Sequence, residues 1–173
     1  MQENDFLDWG FGKKKDSELV SVNNFIILFF LTMGLYGTWW MYKAWRYFKE
    51  KDNLDIMPPM RAIFDIFFLF GLFERIQTFA QEKGYTKSYS SGMLFIGFIL
   101  MRFLTQLPEP MWVISQLAFI CLVPPFRAFN FAMMQSEDTH FVEREGFSQR
   151  QLVLVVVGTM MWALVIFGLI VGE

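Results

Sequence analysis

From Leu152 to Gly172 the chain carries no charged side chain, and the same is true from Phe25 to Met41 and from Met111 to Pro125. Residues 88–101 are likewise uncharged and lead through Arg102 into the Leu107-Pro108-Glu109-Pro110 turn. A helix needs about 20 mostly apolar residues to cross a hydrocarbon core about 30 Å thick. Several blocks meet or approach that length, so the expected class is an all-α integral membrane protein.

Composition agrees. Hydrophobic residues make up 54% of the 173, aromatic residues 19% and charged residues only 18%, too apolar for an ordinary soluble domain of this size. A net charge of −2 argues against nucleic acid as a partner. A single cysteine, Cys121, and a single histidine, His140, exclude a disulfide framework and a Cys/His zinc site. No metal or cofactor is expected. The leader carries Glu3, Asp5 and Asp8, and its apolar run ends in Trp39 and Trp40, unlike a cleavable signal peptide.

Residues 1–21 read as a polar tail and 22–172 as one transmembrane helical domain. The expected spans are about 22–42, 92–107, 111–134 and 152–172. The first ends among Tyr36, Trp39, Trp40, Tyr42 and Trp45, an interfacial aromatic belt, and Lys43, Arg46, Lys49 and Lys51 follow on the cytoplasmic side. Pro58 and Pro59 suit a helix start. The segment 59–82 has an apolar stretch of only about 18 Å, and Arg61, Asp65, Arg75 and Glu82 fall on one side of it. It reads as an interfacial or re-entrant helix, with a fifth span as the alternative. Pro124 and Pro125 are expected to kink or stop the third span.

Most lysines and arginines outside the helices fall on one side if there are four spans with both termini outside. Five spans would move the N-terminus inside. Both arrangements put the C-terminus outside.

Several phrases, taken in order, carry a resemblance: Leu31-Thr32-Met33-Gly34-Leu35-Tyr36, Trp39-Trp40-Met41-Tyr42-Lys43-Ala44-Trp45, Arg61-Ala62-Ile63-Phe64, Phe73-Glu74-Arg75-Ile76, Phe147-Ser148, and Gly158-Thr159-Met160-Met161-Trp162-Ala163-Leu164. Over most of residues 22–172 the chain resembles an uncharacterised family of small bacterial multipass inner-membrane proteins. The resemblance implies that location and no catalytic residues. Pro124-Pro125-Phe126-Arg127 departs from the pattern, which has one proline and a glutamine there.

The sharpest polar candidates are Arg61 and Asp65, four residues apart, since ionisable groups at membrane depth are costly and usually paired. Glu74 and Arg75 close that segment. Arg127 and Asn130 would face the pair if the two proline-led helices pack together, forming a headgroup- or anion-binding patch. The bland alternative is a solvated helix face, where such a pair is worth only about 0.2–0.5 kcal/mol. Glu137, Asp138, His140, Glu143 and Glu145 form a loop cluster that reads as solvated. With no catalytic constellation in view, the expected function is a non-enzymatic scaffold, assembly factor or complex subunit. Its partners would be membrane lipids and other membrane proteins or further copies of itself. The alternative is a small oligomeric transporter or channel.

Overall fold

The structure, a computed structural model, describes residues 17–106, 108, 111–136, 141–144 and 146–171. Among the described residues seven helices dominate: α1 (Val22–Leu31), α2 (Leu35–Lys51), α3 (Pro58–Ile63), α4 (Asp65–Glu82), α5 (Ser91–Phe103), α6 (Phe119–Met134) and α7 (Gln149–Val171). Two 3-10 segments, Leu104–Gln106 and Met111–Ala118, extend α5 and precede α6. Two short strands, β1 (Ser17–Val20) and β2 (Phe141–Arg144), pair in parallel, with Ser17 opposite Phe141 and Val20 opposite Arg144. The last residues of the expected polar tail are therefore a strand, tied to what reads in sequence as a loop.

The expected single helix over 22–42 is two helices. Thr32 ends α1, and Met33 (φ 51°) and Gly34 (φ 90°) turn the chain in left-handed backbone, which glycine adopts without the Cβ penalty. Thr32 makes the turn affordable in apolar surroundings: its hydroxyl donates to the Leu28 carbonyl (2.7 Å) and accepts from the Tyr36 N–H (2.9 Å). Polar backbone groups with no water nearby need such partners. The ring of Phe29 lies over Gly37, and Phe25 meets Trp40, so α1 and α2 form an antiparallel hairpin. At 1.5 Å per residue α1 is only about 15 Å long.

The segment 59–82 is also broken. Pro58 and Pro59 do begin a helix, but Phe64 (φ −92°, ψ 48°) interrupts it and Asp65 opens α4. An acidic side chain in a first turn favours a new helix start, because it faces unpaired N–H groups and the positive end of the dipole. Pro124 and Pro125, expected to break the third span, lie inside α6. They withhold donors from the carbonyls of Ile120 and Cys121 without ending the helix. Residues 112–134 run on as one apolar helical segment whose burial against neighbouring helices outweighs two missing bonds.

The helices run up and down about a common axis. Asp65 stands beside Arg102, Phe70 beside Phe95 and Gln77 beside Ser91, so α4 is antiparallel to α5. Leu122 touches Gly37, while Phe126 meets Trp40 and Phe129 meets Phe48, so α6 rises parallel to α2. Leu31 abuts Gly158 and Asn24 Nδ2 donates to the Gly146 carbonyl, so α7 runs alongside α1. Ser148 and Gln151 start α7 with a reciprocal capping box: each side chain accepts from the other's backbone N–H, at 3.3 and 2.8 Å.

The core is a column of aromatic rings. Phe25 stacks on Phe126 at 4.2 Å between centroids, and Trp40, Phe129, Phe48 and Phe79 continue the column from ring to ring. Such pairs contribute about 0.5–1.5 kcal/mol each beyond the area they bury. Among the described residues two helices, Trp112–Met134 and Gln151–Val171, are long and apolar enough to cross a membrane by length and composition.

Candidate functional site

Exposed side chains change character along α2, α4 and the segment 111–134. On α4 the outward residues are Phe67 and Phe70 in the first half, then Glu74, Arg75, Thr78, Gln81 and Glu82. On α2 the outward Leu35 gives way to Lys49, Glu50 and Lys51. Before and along α6, Ile114, Leu117 and Ile120 are followed by the exposed Arg127. The exposed residues of α5 include Met93, Ile96, Leu100 and Phe103, and nearly every side of α7 is apolar and open. The protein thus has a charged end and an apolar end. The charged end gathers the C-termini of α2, α4 and α6 with the N-termini of α1, α5 and α7.

Among the described residues two ion pairs join different elements of the charged end and a third lies within α2. Arg75 meets Asp52 at 3.2 Å, Lys51 meets Glu82 at 3.9 Å, and Arg46 meets Glu50 at 2.9 Å. Exposed pairs like these are worth about 0–1 kcal/mol each. Lys51 also lies over the Phe79 ring, 3.8 Å from its centre. Two open clefts flank Glu74 and Thr78, one of about 630 Å³ reaching Tyr89 and Ser91, the other of about 440 Å³ reaching Lys51 and Asp52. Tyr89 anchors the α4–α5 loop by donating its O–H to the Phe73 carbonyl at 2.8 Å. Burial pushes this phenol well above its ordinary range, and the nearby Tyr85 adds to the shift.

Arg61 and Asp65 do not pair. The break at Phe64 removes the helical spacing that would align them. Asp65 is buried at the tip of the α3–α4 hairpin, and its cationic neighbour is Arg102 of α5, at 3.9 Å. Arg61 instead places its guanidinium against two rings, Trp45 at 4.5 Å and Phe68 at 5.0 Å. Nor do Arg127 and Asn130 face that pair. Arg127 is exposed, whereas Asn130 is buried and its Nδ2 donates to the Val20 carbonyl at 2.9 Å, fixing β1 to α6. Glu74 is exposed and Arg75 is taken by Asp52. The expected six-residue patch is therefore dispersed over several surfaces.

The aromatic belt is divided as well. Tyr36, Trp40 and Trp45 are buried core residues; Tyr36 accepts a hydrogen bond from Gln151 Nε2 at 3.1 Å. Only Trp39 and Tyr42 lie partly outside, ring against ring at 5.2 Å, with Lys43 over Trp39. Alternation along α2 sends these aromatics to opposite sides, which a cluster read in one dimension does not reveal.

In sequence Arg102 is only the cation that ends an uncharged run. Its pairing with Asp65 depends on the α4–α5 antiparallel packing. Ser148-x-x-Gln151 carries a capping signal that the sequence reading passed over, whereas nothing in the sequence marks the bridging role of Thr32. Among the described residues no group of three or more His, Cys, Asp or Glu side chains could hold a metal ion. Glu137, Asp138, His140 and Glu145 of the loop cluster lie outside the described residues, as do Lys13, Lys14 and Lys15. Comparison with known protein families, curated proteins and solved structures finds no match to this chain.

Proposed function

We propose that the chain is a multipass membrane protein that acts as a non-enzymatic scaffold, assembly factor or complex subunit through helix and lipid contacts. The observation that carries this reading is the sorting of exposed side chains, apolar at one end of the helices and charged at the other. In this arrangement three segments cross the bilayer: α5 with its 3-10 extension, 111–134, and α7. The α1–α2 and α3–α4 hairpins enter from the charged side and turn back; α1 is about 15 Å long and α3 about 9 Å, well short of a hydrocarbon core. Non-helical backbone at such depth is tolerated where protein buries it and side chains satisfy it, as Thr32 does.

Charge gives the orientation. Lys43, Arg46, Lys49, Lys51, Arg75, Lys83, Lys87 and Arg127 all lie on the charged half, and Arg102 is the one described cation towards the other end. The positive-inside rule then makes the charged end cytoplasmic. The N-terminal strand lies inside and the C-terminus of α7 outside. The resemblance to small bacterial proteins motivates the inner membrane as the location. Nearly the whole surface of α7 is open, which supports lipid or a further helix as its neighbour.

Cysteine accessibility after replacing Cys121 tests the arrangement. Ser21→Cys, Asn53→Cys, Thr86→Cys and Ser136→Cys are expected to label from the cytoplasmic side, and Pro108→Cys from the other. Opposite labelling of positions 21 and 53 would establish a true first span and defeat the hairpin. For the scaffold role, purification at native expression is expected to recover a stable partner or a defined self-assembly. A lone monomer argues against it.

A second reading, a small oligomeric transporter, draws support from the two helix breaks and the Asp65–Arg102 pair in the apolar half, since interrupted helices build binding sites at depth. Flux through the reconstituted protein that Asp65→Asn abolishes is the expected result on that reading; no flux in the parent protein rejects it.

A further inference from the structure

Arg61 is held by rings from two different helices. Its guanidinium carbon lies 4.5 Å from the ring centre of Trp45 on α2 and 5.0 Å from that of Phe68 on α4. Trp45 is immobilised in the core at 2% exposure. A guanidinium stacked on aromatic faces keeps its five N–H donors free, because they radiate in its own plane. Among the described residues no carboxylate pairs with Arg61 and no acceptor takes its donors. The cation is therefore positioned, half-buried and open at its donor edge.

The large apolar side chains exposed along the same short segment lie close to Arg61 in the chain. Met57, Met60 and Ile63 of the same segment are 71%, 46% and 65% exposed. The end of α2 and the turn after it are mixed in charge, with Lys49 and Lys51 beside Glu50, Asp52 and Asp55. A ligand reaching Arg61 must present an anion beside a hydrocarbon surface. Phosphate suits the planar donor fork, which binds two oxygens of one group at once. We propose that Arg61, held by Trp45 and Phe68, binds the phosphate of a phospholipid headgroup, with the acyl chains lying over Met57, Met60 and Ile63. The proposal rests on the membrane reading above and adds to it a defined ligand class and site.

Arg127 supplies the internal comparison. It is also exposed on the charged half, but no ring is stacked on it among the described residues. General attraction to anionic headgroups would treat the two arginines alike; a built site would not.

The test is native mass spectrometry of the full chain extracted from membranes in mild detergent, scoring retained phospholipid. The wild type is expected to keep one phospholipid, and Arg61→Gln to lose it by about fivefold or more, as removal of a charge-assisted bidentate contact predicts. Arg61→Lys, which keeps the charge without the fork, is expected to fall between them, and Phe68→Leu to weaken retention with Arg61 still present. Arg127→Gln is expected to match the wild type. Circular dichroism of each variant separates loss of the site from loss of the fold. Equal retention by folded, inserted Arg61→Gln overturns the proposal while leaving the membrane reading intact. Binding of inorganic phosphate alone, dependent on Arg61 and displacing the lipid, moves the source to a soluble phosphate and also overturns it. A wild-type chain recovered as a soluble protein overturns both.

Discussion

The indole of Trp162 lies flat on the ring of Phe30, 4.6 Å between centroids and 4° between planes, and its N–H donates to the Phe30 carbonyl at 3.0 Å. One residue of α7 thus stacks on α1 and satisfies a carbonyl at the end of that helix. Four residues earlier, Gly158 lets the backbones meet: a Cβ there would sit 2.7 Å from the Leu31 carbonyl oxygen. Trp162→Phe should keep the stack and lose the hydrogen bond, costing about 0.5–1.5 kcal/mol. Gly158→Ala should push the helices apart and cost about 1–3 kcal/mol. Thermal unfolding in detergent checks both, and an unchanged Gly158→Ala would show that α7 is not docked as described.

The Asp65–Arg102 pair should respond asymmetrically. Asp65 is buried while the Arg102 side chain is 53% exposed. Removing the arginine leaves a buried carboxylate without its counter-charge. Removing the carboxylate leaves an arginine that can reach outward. Arg102→Gln should therefore destabilise more than Asp65→Asn, by about 1–2 kcal/mol after discounting for the exposed partner. A double-mutant cycle measures the coupling; equal single-mutant losses would contradict the assignment.

Loss of Asn130 should release β1. Its Nδ2 is the donor to the Val20 carbonyl in a buried setting, so Asn130→Ala should cost about 1–3 kcal/mol. Hydrogen exchange should rise over 17–20 and 141–144, while α4 and α5 keep their protection.

Stability should also fall at high pH through Tyr89. Its folded-state pKa is raised by burial and then by Tyr85, while an unfolded tyrosine ionises near about 10. Below that value both states hold the proton and the contribution is complete. Above it the unfolded state releases its proton first, so stability declines as pH rises through the folded value. Tyr89→Phe should flatten that decline and lose the bond to the Phe73 carbonyl. Melting curves across alkaline pH in detergent provide the measurement.

The helical class, the apolar segments and their approximate ends follow from runs of uncharged residues, because covering an apolar surface is a local compositional property. α5, the 111–134 segment and α7 were legible for that reason, and so was the helix start at Pro58 and Pro59. The first apolar run was misleading, since uncharged residues suit two helices joined by a turn as well as one continuous helix. What distinguishes them is the left-handed turn at Met33 and Gly34 and the two hydrogen bonds of Thr32. Pro124 and Pro125 mislead in the opposite sense: local propensity opposes a helix there, and burial of Leu122, Phe126 and Phe129 on both sides overrides it.

The amino-acid sequence by itself determined that this protein is helical, that much of it is apolar, and that the charges of α2 and most of those of α4 lie towards their C-terminal ends. Tertiary structure decided which charges meet. Asp65 went to Arg102 instead of Arg61, Asn130 went to the Val20 carbonyl, and Arg61 was left stacked on Trp45 and Phe68. The physical reason is that hydrophobicity is non-directional and accumulates along the chain, whereas an ion pair, a hydrogen bond or a ring stack depends on distances of a few ångströms. Those distances were set by two turns, at Gly34 and Phe64, that redirect the chain.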